Sequence, residues 1–150
     1  MSKAVAPKPR KTSRSAYVLE EQIGFILRQV SQRHSTIFME QIGSGLTPTQ
    51  WTALIKLLET GPCSQNQLGR ITAMDVATIK GVIDRLTARG LTETSPDPDD
   101  GRRLLVSLSK AGQLVVEKAL PNAIEITEAT LAPLNAKERE TLLALLSRLR

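Results

Sequence analysis

Residues 91–108 read LTETSPDPDDGRRLLVSL, and the fold turns on this stretch. Leu91-Thr92-Glu93-Thr94 forms a short strand, and Leu104-Leu105-Val106-Ser107-Leu108 a second one, apolar and partly alternating. Between them, Ser95 to Arg103 holds two prolines, three aspartates and a glycine, residues that favour tight turns. The pair is therefore a β-hairpin with a charged tip, Asp100-Gly101-Arg102-Arg103.

Upstream of the hairpin, Asp75 caps a helix that Gly90 stops, with Val76, Ile79, Val82, Ile83 and Leu86 as its apolar face. Ser64-Gln65-Asn66-Gln67 is a capping box opening a shorter helix, with Leu68 and Ile71 inward. Only Thr72 to Met74 separates the two helices, too little chain for them to lie antiparallel. They must cross steeply, as in a helix-turn-helix, and a hairpin directly after the second helix is a wing.

Further out, Thr47-Pro48-Thr49-Gln50 starts another helix, with Trp51, Leu54, Ile55 and Leu58 as its buried stripe and Gly61-Pro62 as its end. From Tyr17 to about Ile42 runs one long helical pattern, with Leu19, Ile23, Ile26, Val30, His34, Ile37 and Phe38 on one face. Gly43-Ser44-Gly45 ends it. On the other side, Ser109 caps a helix reaching about Leu131, which Pro121 kinks or divides. Asn135 to Glu138 is a capping box for a last helix with Leu142, Leu145, Leu146 and Leu149 on one face.

The predicted architecture is mainly α: a winged helix-turn-helix over residues 47–110, flanked by an N-terminal helix over 15–46 and C-terminal helices over 111–150. The apolar stripes at both chain ends exceed what one small winged domain can bury, so the ends pack together and form a two-fold dimer. Residues 1–14 read as a disordered basic arm.

The chain carries 20 basic and 15 acidic residues, a net charge of +5, which suggests a polyanionic partner. Lys3, Lys8, Arg10, Lys11 and Arg14 account for that excess, leaving 15 basic and 15 acidic residues in the body. A case for DNA binding therefore rests on where the charges sit. Aromatic residues make up only 3%, which argues against single-strand recognition by base stacking. Cys63 is the only cysteine, which suits a reducing compartment, and no apolar run approaches a membrane span, so the expected location is cytoplasmic with no membrane partner. One histidine and one cysteine cannot build a thiolate or imidazole metal cluster. Neither a Walker loop nor a dinucleotide fingerprint is present, so no enzyme, cofactor or metal is expected.

Several stretches together resemble the MarR family of winged-helix regulators. They are Gln67-Leu68-Gly69-Arg70-Ile71, Ala77 to Leu86, Arg89-Gly90-Leu91, and Asp97 to Arg103 followed by Val106-Ser107-Leu108-Ser109 and Gly112. The family's wing motif, Asp-x-Arg, stands here as Asp100-Gly101-Arg102. The resemblance spans roughly residues 17–150 and implies a homodimeric regulator of double-stranded DNA, usually a repressor. It departs at Thr94, where the family often has a basic residue, and in the small Ala77 and Gly81.

Within that frame the Asp75–Arg89 helix exposes Ala77, Thr78, Lys80, Gly81, Asp84 and Arg85 on its polar side. In a major groove, Thr78 and Lys80 would reach base edges, Val76 or Ala77 a thymine methyl, and Arg85 a phosphate. An ordinary solvated helix face has the same composition, and the wing downstream favours DNA. By resemblance Arg102, beside Arg103, enters the minor groove, with Asp100 hydrogen-bonded to Arg102 to fix its direction. Ser64 and Gln65 would offer main-chain N–H groups to phosphate, or serve as a cap alone.

A small-molecule effector is also expected. Arg28, Ser31, His34 and Ser35, with Phe38, Trp51 and Ile55 as walls, would suit a small aromatic carboxylate, although a lone histidine on an apolar face is more often a core residue. Ile23 to Gln29 and Gln32-Arg33-His34 are similar to MarR-type regulators of aromatic or nicotinate catabolism. Three other readings remain open: a ligand-independent DNA-binding protein, a redox sensor acting through Cys63 at a helix start, and a protein-interaction module that uses the winged fold without DNA.

Overall fold

A computed structural model describes residues 17–150; the expected arm over 1–14 lies outside the described residues. The chain divides into two compact units, one ending at Gln32 and the other covering Arg33–Arg150. Helix α1 (Ile23–Gln41) contributes to both.

In the first unit the expected helix start at Tyr17 is corrected. Leu19–Glu21 forms a single 3-10 turn, and Gln22 is extended at φ −84°, ψ 130°. The Gln22 side chain donates to the Val18 carbonyl at 2.8 Å, so the chain turns before the α-helix begins at Ile23. Tyr17, Leu19, Ile23, Ile26, Leu27 and Val30 are exposed.

The second unit continues with α2 (Pro48–Thr60), α3 (Gln65–Ile71), α4 (Val76–Ala88), strands β1 (Thr92–Pro96) and β2 (Leu104–Leu108), α5 (Lys110–Leu131) and α6 (Ala136–Ser147). Local chemistry explains most of these boundaries. Thr47 accepts from the Gln50 N–H while the Gln50 side chain accepts from the Thr47 N–H, a complete capping box; Asn135 and Glu138 repeat it at α6. Ser64 accepts from the Gln67 N–H without a return bond from Gln67 among the described contacts, so the box expected there is half made. Asp75 and Ser109 cap α4 and α5. Gly43, after α1, has φ +77°, a conformation that L side chains resist. Pro121 lies within α5, which runs unbroken from Lys110 to Leu131.

The main core gathers Leu54 and Leu57 of α2, Leu68 of α3, Ile79, Val82, Ile83 and Leu86 of α4, and Val106 of β2. A second cluster joins Phe38 and Ile42 to Ala119 and Ile126 of α5. Three apolar assignments need correction. The buried face of α2 is Gln50, Ala53, Leu54 and Leu57, with Leu58 41% exposed and Trp51 and Ile55 half-buried. Ile71 is 39% exposed at the end of α3, and Val76 is 70% exposed at the start of α4. Both helix ends project past the edge of the core, where apolar periodicity no longer tracks burial. The leucine face of α6, including Leu142, Leu145 and Leu146, is exposed in the single chain, as is Leu149, which lies past the helix end.

Strands β1 and β2 pair antiparallel, Thr92 with Leu108 through Pro96 with Leu104. Two contacts seat this hairpin. Cys63 and Val106 exchange main-chain hydrogen bonds of 3.1 and 2.8 Å, tying the loop before α3 to β2. At the other end, the Ser109 N–H donates to the Leu91 carbonyl at 3.1 Å, and Gly112 packs so closely against that carbonyl that a side chain would collide with it.

Among the described residues, no helix is long and apolar enough to cross a membrane, and no cluster of histidine, cysteine, aspartate or glutamate is arranged to hold a metal ion.

Candidate nucleic-acid interface

Helix α4 buries Ile79, Val82, Ile83 and Leu86, which turns Ala77, Thr78, Lys80, Asp84 and Arg85 to solvent, with Gly81 half-buried among them. The Asp75 carboxylate accepts the Thr78 N–H at 2.7 Å. That main-chain bond holds the Asp75 carboxyl below the usual carboxylate range. Lys80 pairs with Asp84 at 2.7 Å, both side chains well exposed. Such a surface pair contributes about 0.3–0.5 kcal/mol, so Lys80 is readily released to another acceptor. The Arg85 side chain folds back over Gly81; a Cβ there would sit 3.5 Å from Arg85 Nη1.

The hairpin tip is organised by its aspartates. Asp97 N–H donates to the Arg103 carbonyl and Arg103 N–H to the Asp100 carbonyl, each at 2.9 Å. The Asp97 carboxylate accepts the Asp99 N–H at 2.9 Å, and that of Asp100 accepts the Arg102 N–H at 3.1 Å. The charge-assisted Asp100–Arg102 pair expected from sequence is corrected: Asp100 bonds the main-chain N–H of Arg102, not its guanidinium. The Arg102 and Arg103 guanidiniums have no ion pair among the described residues. The tip is a hydrogen-bonded turn with two cationic side chains that have no carboxylate partner among the described residues.

The first turn of α3 lies beside this hairpin. Ser64, Gln65, Asn66 and Arg70 line a cleft of about 370 Å³ together with Arg103 and Leu104. Ser64, Gln65 and Arg103 were expected in the interface from sequence; Asn66 and Arg70 were not. Arg89 is a further residue that sequence reasoning missed. At the end of α4 it donates to the carbonyls of Ser44 at 2.9 Å and Gly45 at 3.3 Å, fastening the exposed helix to the loop before α2.

The residues expected to hold a ligand divide between the two units. Arg28 and Ser31 are exposed residues of the first unit. In the second, His34 Nδ1 lies 2.8 Å from Thr130 Oγ1. The Thr130 hydroxyl also lies 2.8 Å from the Ile126 carbonyl, which can accept from it. Arg33 donates to the Thr130 and Ala129 carbonyls at 2.7 and 3.2 Å, and the His34 ring is tilted against Phe38 with centroids 6.4 Å apart. Phe38 is 4% exposed and belongs to the second cluster, while Trp51 packs against both clusters. Ser35 and Ile55 are half-buried.

Cys63 is buried. Burial pushes its thiol up from the ordinary value of 9.0, outweighing a hydrogen bond with Thr60 that lowers it. The expectation that the following helix favours a thiolate is corrected: desolvation dominates.

Comparison with known proteins agrees with this architecture. The MarR family profile matches residues 44–103. The HTH-type transcriptional repressor NicR of Pseudomonas putida is 39% identical over 150 residues, covering 99% of this chain and 95% of NicR. The crystal structure of a probable transcriptional regulator from Pseudomonas aeruginosa superposes with a TM-score of 0.87 at 62% identity, over 89% of this chain and 100% of that one. BpsR of Bordetella bronchiseptica, whose DNA binding is regulated by 6-hydroxynicotinic acid, superposes with a TM-score of 0.83 at 42% identity, over 89% of this chain and 96% of its own. With its helix-turn-helix, its wing and 39% identity to NicR over nearly the whole length of both chains, the chain belongs to the MarR family.

Proposed function

We propose that this protein is a ligand-responsive transcriptional repressor that binds a palindromic DNA operator as a homodimer and is released by a small heteroaromatic carboxylate. The observation that carries the reading is the pairing of an exposed polar α4 face with a wing tip whose two arginine side chains have no ion pair among the described residues. Each α4 enters a major groove and each Arg102 the adjacent minor groove, with half-sites about one helical turn apart. Thr78 and Lys80 read base edges, and Val76 and Ala77 meet thymine methyl groups. Gly81 keeps the helix face low. Arg85, Arg103 and the Ser64-Gln65 turn position the protein on phosphates. The apolar face of α6 and, within the first unit, the exposed apolar residues of 17–32 are each available to a second copy.

The repressor role is supported by the similarity to NicR, and the effector class by BpsR. Relatives named as transcriptional regulators support binding rather than catalysis as the activity, and a DNA-binding regulator belongs in the cytoplasm with the chromosome. On this reading His34, Ser35 and Ile55 join Arg28, Ser31, Phe38 and Trp51 as effector-responsive positions.

Footprinting on the protein's own upstream region, with 6-hydroxynicotinate titrated in, tests both halves. A protected palindrome that the compound clears supports the reading. A protected site indifferent to the compound leaves a ligand-independent DNA-binding protein, and no protection on any duplex removes the DNA-binding role.

A further inference from the structure

We infer that the cleft between α3 and the start of β2 binds one backbone phosphate of duplex DNA, gripped by Arg70 from one side and Arg103 from the other. The inference rests on the operator-binding reading above and adds Arg70, a residue to which neither sequence nor similarity gave a role.

The cleft's lining, Ser64, Gln65, Asn66, Arg70, Arg103 and Leu104, contains two guanidiniums and no carboxylate. Five other cations of the second unit are already engaged. Lys56, Lys80 and Arg139 pair with carboxylates, while Arg33 and Arg89 donate to main-chain carbonyls. Arg70 and Arg103 have no side-chain partner among the described residues, although aspartates crowd the wing. The Asp97 and Asp100 carboxylates instead accept main-chain N–H groups within the turn.

Two like charges on one cleft repel until an anion enters, and two guanidinium forks offer several donors to a phosphate's oxygens. The side chains of Gln65 and Asn66 add amide donors at the rim. The position fits the same ligand. If α4 occupies a major groove and Arg102 the neighbouring minor groove, the strand dividing the grooves passes between them, beside the tip end of the wing where Arg103 precedes β2.

The test is operator affinity as a function of salt for the full chain, Arg70→Gln, Arg103→Gln and the double variant, on operator and on an unrelated duplex. Both arginines are exposed, and thermal melts confirm folding of each variant. Each single substitution is expected to weaken binding about tenfold on both duplexes alike, because phosphate contacts carry no sequence information. The double variant should lose less than the product of the two single losses, and its log K against log salt slope should fall by about 0.9, the value for one phosphate. An unchanged slope and affinity in Arg70→Gln, with the unaltered protein binding normally, overturns the clamp and leaves operator binding intact. Independent losses that multiply, with a slope change near twice that value, also overturn it, since the two side chains then hold separate phosphates. Failure of the unaltered protein to bind any duplex overturns the operator-binding reading and the clamp with it.

Discussion

The Asp100 carboxylate accepts the main-chain N–H of Arg102 at 3.1 Å, and the Arg102 guanidinium has no ion pair among the described residues. If the tip faces DNA as proposed, an acidic residue there is an electrostatic cost, offset by fixing the turn from which the arginine projects. The contact needs an acceptor oxygen and no charge. Asp100→Asn should therefore keep operator affinity or raise it slightly, whereas Asp100→Ala should lower it several-fold, the effect of losing about 1 kcal/mol of turn-ordering hydrogen bond. Fluorescence anisotropy on a labelled operator separates the two variants, and equal loss in both would show that the charge itself matters.

Gly112 sits against the Leu91 carbonyl at the junction of wing and α5. Gly112→Ala must push the wing away from the body or shift the start of α5. The expected cost is about 1–3 kcal/mol or more, read as a lowered melting temperature. A melt indistinguishable from that of the parent would mean that the junction is looser than the structure shows.

Asp75 caps α4 with its carboxylate held below the ordinary value of 3.8 by the Thr78 N–H. A depressed native value means that the cap stabilises fully above about pH 3.8 and loses its effect as pH falls through the lower native value. Asp75→Ala should therefore be less stable than the parent at neutral pH, and the gap should close on acidification. Circular dichroism melts across that range decide it; a gap constant with pH contradicts the charged-cap role.

Cys63 lies in the core with its thiol raised by burial and its main chain paired to Val106. A thiol of that kind is mostly protonated at neutral pH and poorly reactive. Peroxide should leave operator affinity within about twofold, as it would for an inert buried thiol, and Cys63→Ala should bind as the parent does. Oxidant-driven release that disappears in Cys63→Ala would restore the redox reading.

Much of the fold was legible because its signals are local. Thr47, Ser64, Asp75, Ser109 and Asn135 each sit at the N-cap that their side chains predict, since a cap's partner is only three residues away. The hairpin was legible from its turn residues. The long-range fastenings were not: the Cys63–Val106 bridge, the Arg89 bonds to Ser44 and Gly45, and the His34–Thr130 pair join residues far apart in the chain. Val76 and Ile71 show a different limit. Their apolar character fits the stripe, yet both lie where the helix has left the core. At the candidate interface, the motif drew attention to Arg102, whereas Arg70 lay in a stretch that carried the family resemblance but no assigned role, and only the fold brings it to the cleft it lines with Arg103.

The most direct test is the operator affinity of Arg102→Ala against the parent, measured by anisotropy at fixed salt with the fold confirmed by its melt. Loss of a wing arginine from the minor groove should weaken binding by at least tenfold, in line with a charge-assisted contact. Unchanged affinity in a folded Arg102→Ala variant would contradict the placement of the wing on DNA.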